Sequence, residues 1–492
     1  MHNSWGSRLR TAMLGVAGVL LAACAVGPNY HAPPNRLQPN FAVSESKDYG
    51  GDEPAAKFWS IFGDATLSAL IDRALRDNQD LHIAIARLNE ARALRREALF
   101  DYAPTVTSKA SRIQNLQSKD QYLELPEEQR KTDLWGAGFD AFWELDLFGR
   151  VRRENESARA NEQALEADLG DARNSVAAEV ARTYFELRGS QLRLAVAKRN
   201  AENQAQTLAY TEARLDAGRS TEFDTERAKA QLDATRAIVP SLQAAVAVDE
   251  HRIAVLTGQA PSALHAVLDP EAQLPELPHL VELGAPESLL RRRPDVRAAE
   301  RRLEAASANI GVATAEYFPV VTFTGEVGFS VHSLSNVGKS GSEYYGFGPS
   351  ITWAAFDLGR VRARVNQSRA QSDGAVALYQ KTVLTALEET ENALVAYSRG
   401  RENMALLDSS RQASEHAAQL ARLRYEEGAS DFLDELDAER NQLTAEDQFA
   451  QAQTQVATAL VALYKALDGG WQPTQVSAGA ADRHGATVAD SR

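Results

Sequence analysis

The sequence is poor in the residues that build covalent and catalytic sites. Cys24 is its only cysteine, so disulfide bonds within one chain are excluded. Its nine histidines are scattered without the paired spacing of metal ligands, and no catalytic motif is present. We therefore expect no enzyme activity, no cofactor and no metal. Lys and Arg number 53 against 67 Asp and Glu, a formal charge of −14 that argues against a nucleic-acid partner.

The apolar run at the N-terminus is short. Ala12 to Ala23 cannot span a bilayer, and it follows two arginines, which predicts a signal peptide over residues 1–23. The motif Leu21-Ala22-Ala23-Cys24 resembles the lipobox of bacterial lipoproteins, so Cys24 is expected to be lipidated and to become the mature N-terminus. Ala25 follows in place of Asp, which by resemblance to sorted lipoproteins favours the outer membrane.

Proline is absent from two long stretches, 150–217 and 360–427. At ~1.5 Å per residue, a continuous helix of this length reaches roughly 100 Å. In the first stretch apolar residues recur every seven positions, the spacing of helices that coil around neighbours. Gly218 and Gly428 end the two helices, and a return helix is predicted after each, over 221–257 and 430–468.

The two stretches belong to an internal duplication. Trp143 and Gly149-Arg150-Val151-Arg152 return 210 residues later as Trp353 and Gly359-Arg360-Val361-Arg362. The predicted organisation is a lipidated extended segment over 24–62, a first repeat over 63–260, a connector over 261–286, a second repeat over 287–471 and a disordered tail over 472–492. Apolar residues keep helical spacing from Leu67 as far as Phe100, which predicts a helix there. In the first return helix Pro240 is expected to kink or split the helix. The run Arg291-Arg292-Arg293 is expected to be a solvated helix end.

Each repeat contains one hairpin, over 104–147 and 319–357. Three of the four strands alternate apolar and polar residues with period two, which indicates one dry and one wet face; the stretch Thr105 to Gln117 alternates poorly and is assigned by analogy. Strands of about ten residues with aromatics near their ends match a membrane β-barrel wall. A soluble sandwich is the alternative. Four strands cannot close a barrel, so the membrane interpretation requires several chains to share one. The residues predicted to face lipid are Trp135, Phe139, Trp143, Val321, Phe323, Val327, Phe329, Phe347, Ile351 and Trp353.

Several motifs together resemble the TolC-like outer-membrane efflux channels, in their NodT-type lipoprotein branch. They are Val26-Gly27-Pro28-Asn29-Tyr30, Leu290 to Leu303, Phe318-Pro319, Asp357-Leu358-Gly359-Arg360 and Tyr464 to Trp471. The resemblance implies a mainly α-helical homotrimer, in which each protomer contributes four strands to a shared twelve-stranded barrel and long helices to a periplasmic tunnel. It also implies a periplasmic adaptor and an inner-membrane pump of the resistance-nodulation-division class as partners, with outer-membrane lipid around the barrel.

In this family the tunnel closes just after the turn of the second repeat. By that resemblance Leu433 would form an apolar constriction, Asp437 an acidic ring, and Tyr425 part of the contacts that hold the tip shut. Leu433 and Asp437 are four residues apart, so they share one helical face. Asp434 and Glu435 are further candidate acids of the gate; the alternative is that the acids only complement the helix dipole.

The function expected from this resemblance is a passive exit duct for drugs or other small toxic compounds. It would lie in the bacterial outer membrane and lead through the periplasm. Two alternatives remain open at this point. One is the exit duct of a type I protein secretion system, and the other is a coiled-coil envelope lipoprotein that forms no channel.

Overall fold

The structure is a computed structural model that describes residues 25–33, 49–50, 57–121, 125–270, 273–278, 281–283 and 285–467. Cys24, the predicted signal peptide over 1–23 and the predicted tail over 472–492 lie outside the described residues.

Helices dominate the described part of the chain. They are α1 (Ala65–Asp77), α2 (Gln79–Phe100), α3 (Glu127–Arg130), α4 (Arg150–Asp216), α5 (Glu222–Leu256), α6 (His265–Leu268), α7 (Pro286–Arg292), α8 (Pro294–Ala315), α9 (Leu358–Glu426) and α10 (Phe432–Ala466), with 3₁₀ turns at Phe58–Phe62 and Leu334–Asn336. The strands are β1 (Tyr49–Gly50), β2 (Thr105–Leu116), β3 (Lys131–Leu145), β4 (Val281–Glu282), β5 (Val320–Val331) and β6 (Glu343–Thr352). The long helices α4 and α9 have 67 and 69 residues, and each is followed by a return helix of 35 residues, as the sequence predicts.

The chain divides into two compact units. One, here the sheet unit, consists of Met1–Asn35, Ile85–Asp168 and Asp295–Thr382. The other, here the helical unit, consists of Arg36–Ala84, Leu169–Pro294 and Val383–Arg492. No helix of the described ranges combines the length and the apolar character that crossing a membrane requires.

In the sheet unit the strands form one antiparallel sheet in the order β2-β3-β5-β6. The register places Phe139 opposite Val327 and Trp143 opposite Phe323, so the predicted apolar residues of these strands share one face. Within the described residues β2 and β6 each pair along one side only, so both edges of the sheet are open. That this apolar face of the sheet contacts lipid stays a prediction.

The junction between β3 and α4 explains the motif around Gly149. Asp146 accepts hydrogen bonds from the backbone amides of Val151 and Arg152 at 3.1 and 3.0 Å, which caps the start of α4. Arg150 forms an ion pair with Glu144 at 2.8 Å. Glu144 at the end of β3 and Asp146 directly after it therefore hold the helix start, and this is why helix follows strand after only four residues.

The core of the helical unit is a cluster of aromatic and aliphatic side chains. The fully buried rings of Tyr184, Phe185 and Tyr397 lie in it, and Phe58 stacks on Tyr464 with ring centroids 5.6 Å apart. Burial of an aromatic side chain of this size stabilises a fold by roughly 2–3 kcal/mol. This cluster joins the 3₁₀ turn before α1 to α4, α9 and α10.

Three expectations need correction in this unit. The helical pattern from Leu67 to Phe100 is interrupted at Asn78, whose extended backbone separates α1 from α2. Pro240 lies inside α5 and does not split it, because the helix loses only one backbone hydrogen bond there and is packed through the buried Leu232 and Leu242 on either side. A kink at Pro240 stays a prediction. Arg293 is buried, not solvated, and pairs with Glu389 at 2.6 Å.

Candidate functional site

The two turns that end the long helices have the same backbone. Gly218 and Gly428 have φ values of 71° and 75°, a left-handed conformation that favours glycine. After each, the next residue donates its amide to the carbonyl five residues back, from Arg219 to Arg214 at 2.8 Å and from Ala429 to Arg424 at 2.7 Å. These bonds satisfy the last helical carbonyls and stop the helix.

The starts of the two return helices differ. In α5, Thr221 accepts a hydrogen bond from the amide of Asp224, and the Asp224 carboxylate accepts one from the amide of Thr221, which forms a capping box. In α10, Asp431 makes no capping hydrogen bond with its side chain, and the buried hydroxyl of Ser430 has no partner among the described residues. A side-chain cap contributes about 1 kcal/mol, so the second turn is held less firmly than the first.

Tyr425 is the centre of a small cluster beside the second turn. It is 3 % exposed and packs with Ala228 and Phe432; its ring lies 5.8 Å from that of Tyr210 and 5.6 Å from that of Phe432. Its hydroxyl has no hydrogen-bond partner among the described residues. The cluster therefore holds the end of α9 and the start of α10 against α4 and α5 by apolar contact.

Arg214, in the last turn of α4, covers this cluster. Its guanidinium carbon lies 4.6 Å from the ring centroid of Tyr425, and its Nη1 donates a hydrogen bond to the Tyr425 carbonyl at 3.1 Å. A cation over a desolvated aromatic ring is worth up to about 2 kcal/mol. Arg214 therefore ties the end of the first long helix to the end of the second.

The predicted constriction residues lie on the outer face of α10. Leu433 is 51 % exposed, and Asp437 is exposed one turn later on the same face. Asp437 accepts hydrogen bonds from Arg440 at 2.5 Å and from Asn441 at 3.2 Å. Asp437 thus has a cation one turn away on its own helix, which partly neutralises its charge.

The opposite face of α10 carries two buried acids. Glu435 is 2 % exposed and Glu439 is 9 % exposed, and Oε2 of each has no hydrogen-bond partner among the described residues. Arg422 of α9 lies between them, 3.9 Å from a Glu435 oxygen and 4.0 Å from a Glu439 oxygen. Thr207 donates a hydrogen bond to Glu439 at 2.8 Å. One arginine at the limit of ion-pair distance compensates two carboxylates incompletely.

Burial and, to a smaller extent, the negative charge of Glu439 raise the pKa of Glu435 to about 7, against the opposing effect of Arg422. Burial also raises the pKa of Glu439, against the effects of Thr207 and Arg422. Buried carboxylic acids near neutral pH act as proton-linked contacts, because the protonated form is favoured while the packing is intact.

The structure thus brings some predicted gate residues together and separates others. Leu433, Asp434 and Asp437 are exposed, whereas Glu435 is enclosed by helices of its own chain and lines no surface in this conformation. Sequence reasoning missed Arg214 and Arg422. The only signal for Arg214 was its position 210 residues before Arg424, the equivalent residue of the second turn.

The segment next to Cys24 packs in the sheet unit. The Val26 amide donates to the Phe148 carbonyl at 3.1 Å, and Arg153 donates to Asn29 at 2.8 Å. Gly149 has a φ of 84°, and a side chain there would come within 2.5 Å of the Ala25 backbone. The glycine of the duplicated motif therefore leaves room for the chain that follows the predicted lipid site.

Comparison with known proteins defines the class of the protein. The family model described as "Outer membrane efflux protein" matches residues 70–259 and 285–469, one match in each repeat. The protein is 31 % identical over 467 residues to outer membrane protein OprJ of Pseudomonas aeruginosa, covering 94 % of this chain and 97 % of OprJ. It is 32 % identical over 475 residues to the toluene efflux pump outer membrane protein TtgI of Pseudomonas putida, covering 93 % and 97 %. The solved structure of the outer-membrane channel OprN superposes with a TM-score of 0.86 at 44 % identity, covering 92 % of this chain and all of OprN.

The chain belongs to the outer membrane efflux protein family. It is an outer-membrane efflux channel component, a passive conduit and not an enzyme. The predicted fold class, mainly helical with two internal repeats, is confirmed.

Proposed function

We propose that the chain forms a homotrimeric exit duct for a pump of the resistance-nodulation-division class. The duct carries drugs or other small toxic compounds, received through a periplasmic adaptor. TtgI, a relative of similar length, is named as the outer membrane protein of a toluene efflux pump, which supports an adaptor and an inner-membrane pump as partners. This family assignment favours the duct over a protein-secretion channel and over a coiled-coil scaffold.

The open sheet supports the trimer. A sheet of four strands with two unpaired edges and an exposed apolar face is not stable by itself in lipid, because each unpaired backbone group costs several kcal/mol there. If β2 of one protomer pairs with β6 of the next, three copies give a closed twelve-stranded barrel. The exposed rings of Phe139, Phe347 and Trp353 then face lipid.

We place the gate of the duct at the second turn. The observation that supports this position is that Leu433 and Asp437 are both exposed beside a turn that lacks a side-chain cap. Three copies of this face around an axis give an apolar constriction and an acidic ring. Tyr425 and Arg214 hold the same turn on its buried side, where it packs on helices of its own chain. Opening then requires that this cluster, or the contact between protomers, be released.

Reconstitution tests the proposal. The mature protein, purified in detergent, should run as a trimer that resists heating and should give single-channel conductance in planar bilayers. A monodisperse monomer without conductance contradicts the duct.

Lipidation of Cys24 is a separate prediction, because Cys24 lies outside the described residues. Mass spectrometry of the N-terminal peptide should find a lipidated cysteine at the mature N-terminus. Cys24→Ala should abolish the lipid and leave conductance intact, because the barrel anchors the protein independently.

A further inference from the structure

Glu250, His265 and Asp269 form a side-chain cluster in the helical unit, away from the turns. Glu250 is near the end of α5, His265 begins α6, and Asp269 follows α6. One ligand atom from each residue can be chosen so that all three lie within 4.8 Å of one another. His265 Nδ1 lies 2.8 Å from Glu250 Oε2. His265 and Asp269 are four residues apart, a spacing that places two side chains on the same side of a helical turn.

The Glu250 carboxylate is buried and incompletely compensated. The residue is 3 % exposed, and Oε1 has no hydrogen-bond partner among the described residues. Among the described residues its one ion-pair partner is the exposed imidazole of His265, which occupies Oε2 alone. A buried carboxylate with half of its acceptor capacity unused is costly unless a cation binds to it. The carboxylate points toward an exposed imidazole and an exposed carboxylate, which leaves the site open to solvent.

We propose that Glu250, His265 and Asp269 bind one divalent transition-metal ion per protomer, with Zn²⁺ as the best match. An imidazole nitrogen with two carboxylate oxygens suits Zn²⁺, whereas Mg²⁺ and Ca²⁺ prefer oxygen ligands alone. Metal–ligand bonds of about 2.0–2.2 Å separate neighbouring ligand atoms by roughly 3–3.5 Å. The 2.8 Å contact between His265 and Glu250 needs only a small opening to admit the ion. Water completes the coordination.

The ion joins two neighbouring segments, since His265 follows Glu250 by 15 residues. Glu250 is in the return helix of the first repeat, whereas His265 and Asp269 are in the connector between the repeats. Between them the chain passes through a left-handed glycine, Gly258. A bound ion therefore fixes the connector on the end of α5. The site lies outside the proposed gate, so its failure leaves the proposed duct unaffected.

Metal analysis of the trimer tests the site. The full chain is purified in detergent through an affinity tag that contains no histidine. It is then equilibrated with Zn²⁺ and dialysed, in a buffer with excess Mg²⁺, because Mg²⁺ occupies weak acidic sites. Elemental analysis should find one Zn²⁺ per protomer, and Zn²⁺ should raise the melting temperature of the trimer, because a ligand of the native state stabilises it. Glu250→Gln, His265→Ala and Asp269→Asn should each reduce the Zn²⁺ affinity more than tenfold and abolish the shift in melting temperature.

His251→Ala is the matched control, since His251 is an exposed histidine next to Glu250 on the same helix. It should retain full Zn²⁺ binding. Asp269→Asn keeps the test decisive if the other variants fold poorly, because Asp269 is exposed. The proposal is overturned if the parent retains no Zn²⁺ above the Mg²⁺ background, or if Asp269→Asn binds Zn²⁺ as tightly as the parent does.

Discussion

Arg214 and Tyr425 are joined twice, by the guanidinium 4.6 Å from the ring centroid and by the 3.1 Å hydrogen bond from Arg214 Nη1 to the Tyr425 carbonyl. The two residues lie in the last turns of α4 and α9, one in each repeat. The duplication has therefore not produced two equivalent tips. The aromatic ring is at the second turn, and the cation that covers it comes from the first.

Arg214→Ala is expected to loosen the second turn without unfolding the chain. The substitution removes the cation from the Tyr425 ring and one of the two hydrogen bonds that the Tyr425 carbonyl accepts, at a cost of about 1–3 kcal/mol. The other bond, from the Gly428 amide at 3.0 Å, remains. Hydrogen exchange of peptides that cover 420–436 should become faster, and single-channel conductance should rise. Arg424→Ala is the control, because Arg424 is the exposed equivalent of Arg214 in the second repeat. Equal exchange in the Arg214 variant and the parent would show that the contact contributes nothing.

The sequence predicted the long helices, the return helices and the hairpins because each depends on local information. Periodicity, the proline-free stretches and Gly218 with Gly428 are all readable along the chain. Contacts between distant segments left no such signal. Asn78 breaks a helical pattern because its side chain donates to the Leu256 carbonyl at 2.9 Å and accepts from the amide of Asp80, and neither contact follows from spacing.

The sequence also did not predict which charged side chains are buried. Arg293 stands in a run of three arginines that reads as a solvated helix end, yet it donates to the Ala466 carbonyl at 3.2 Å and pairs with Glu389. Glu435 stands between exposed acids and is itself buried. On a helix the neighbours of an exposed residue point elsewhere, so a cluster of acids in sequence need not be a cluster in space.

Glu435→Gln should remove a pH dependence of the second turn. The packed Glu435 has a pKa of about 7, above the ordinary 4.5, so the packed state binds an extra proton between these values and weakens as pH rises through them. The shift corresponds to at most about 3 kcal/mol, and solvent screening of the carboxylate lowers this contribution. The charged groups that act on it are Glu439, Glu426, Arg422 and Arg214.

Glutamine mimics the protonated acid, so the variant and the parent should exchange amide hydrogens at the same rate near pH 5. Near pH 8 the variant should be better protected at 420–440. Asp434→Asn, at the exposed neighbouring acid, should match the parent at both values. A parent that is as well protected as Glu435→Gln near pH 8 would mean that Glu435 ionises without loosening the turn.

Charge on the apolar face of the sheet should impair membrane insertion. Phe323→Arg and Val327→Arg place a cation on β5 where the proposed barrel meets lipid, at an expected cost of about 2–4 kcal/mol near the midplane. Thr324→Arg is the control, because Thr324 lies between them on β5 and points to the other face. Trimer yield in membranes should fall for the first two variants only. Equal yields for all three would contradict the assignment of the lipid face.

The gate itself is tested by Leu433→Ala combined with Asp437→Ala. Both side chains are exposed on one face of α10, so their removal should leave the fold intact while it widens and neutralises the constriction. Conductance should rise, and large hydrophilic antibiotics should enter cells without any pump. The change also frees Arg440, now without its partner Asp437, so selectivity for cations should fall.

The duplication supplies the matched control for this gate. Phe223 and Arg227 stand 210 residues before Leu433 and Asp437, and the Arg227 guanidinium lies 5.1 Å from the Phe223 ring centroid. Phe223→Ala with Arg227→Ala removes the corresponding pair, the exposed Phe223 and the half-buried Arg227, at the turn that the capping box holds. If only the second-repeat variant raises conductance, the constriction belongs to α10. If only the first-repeat variant does, the tunnel closes at the first turn, and the looser cap at Asp431 has another role.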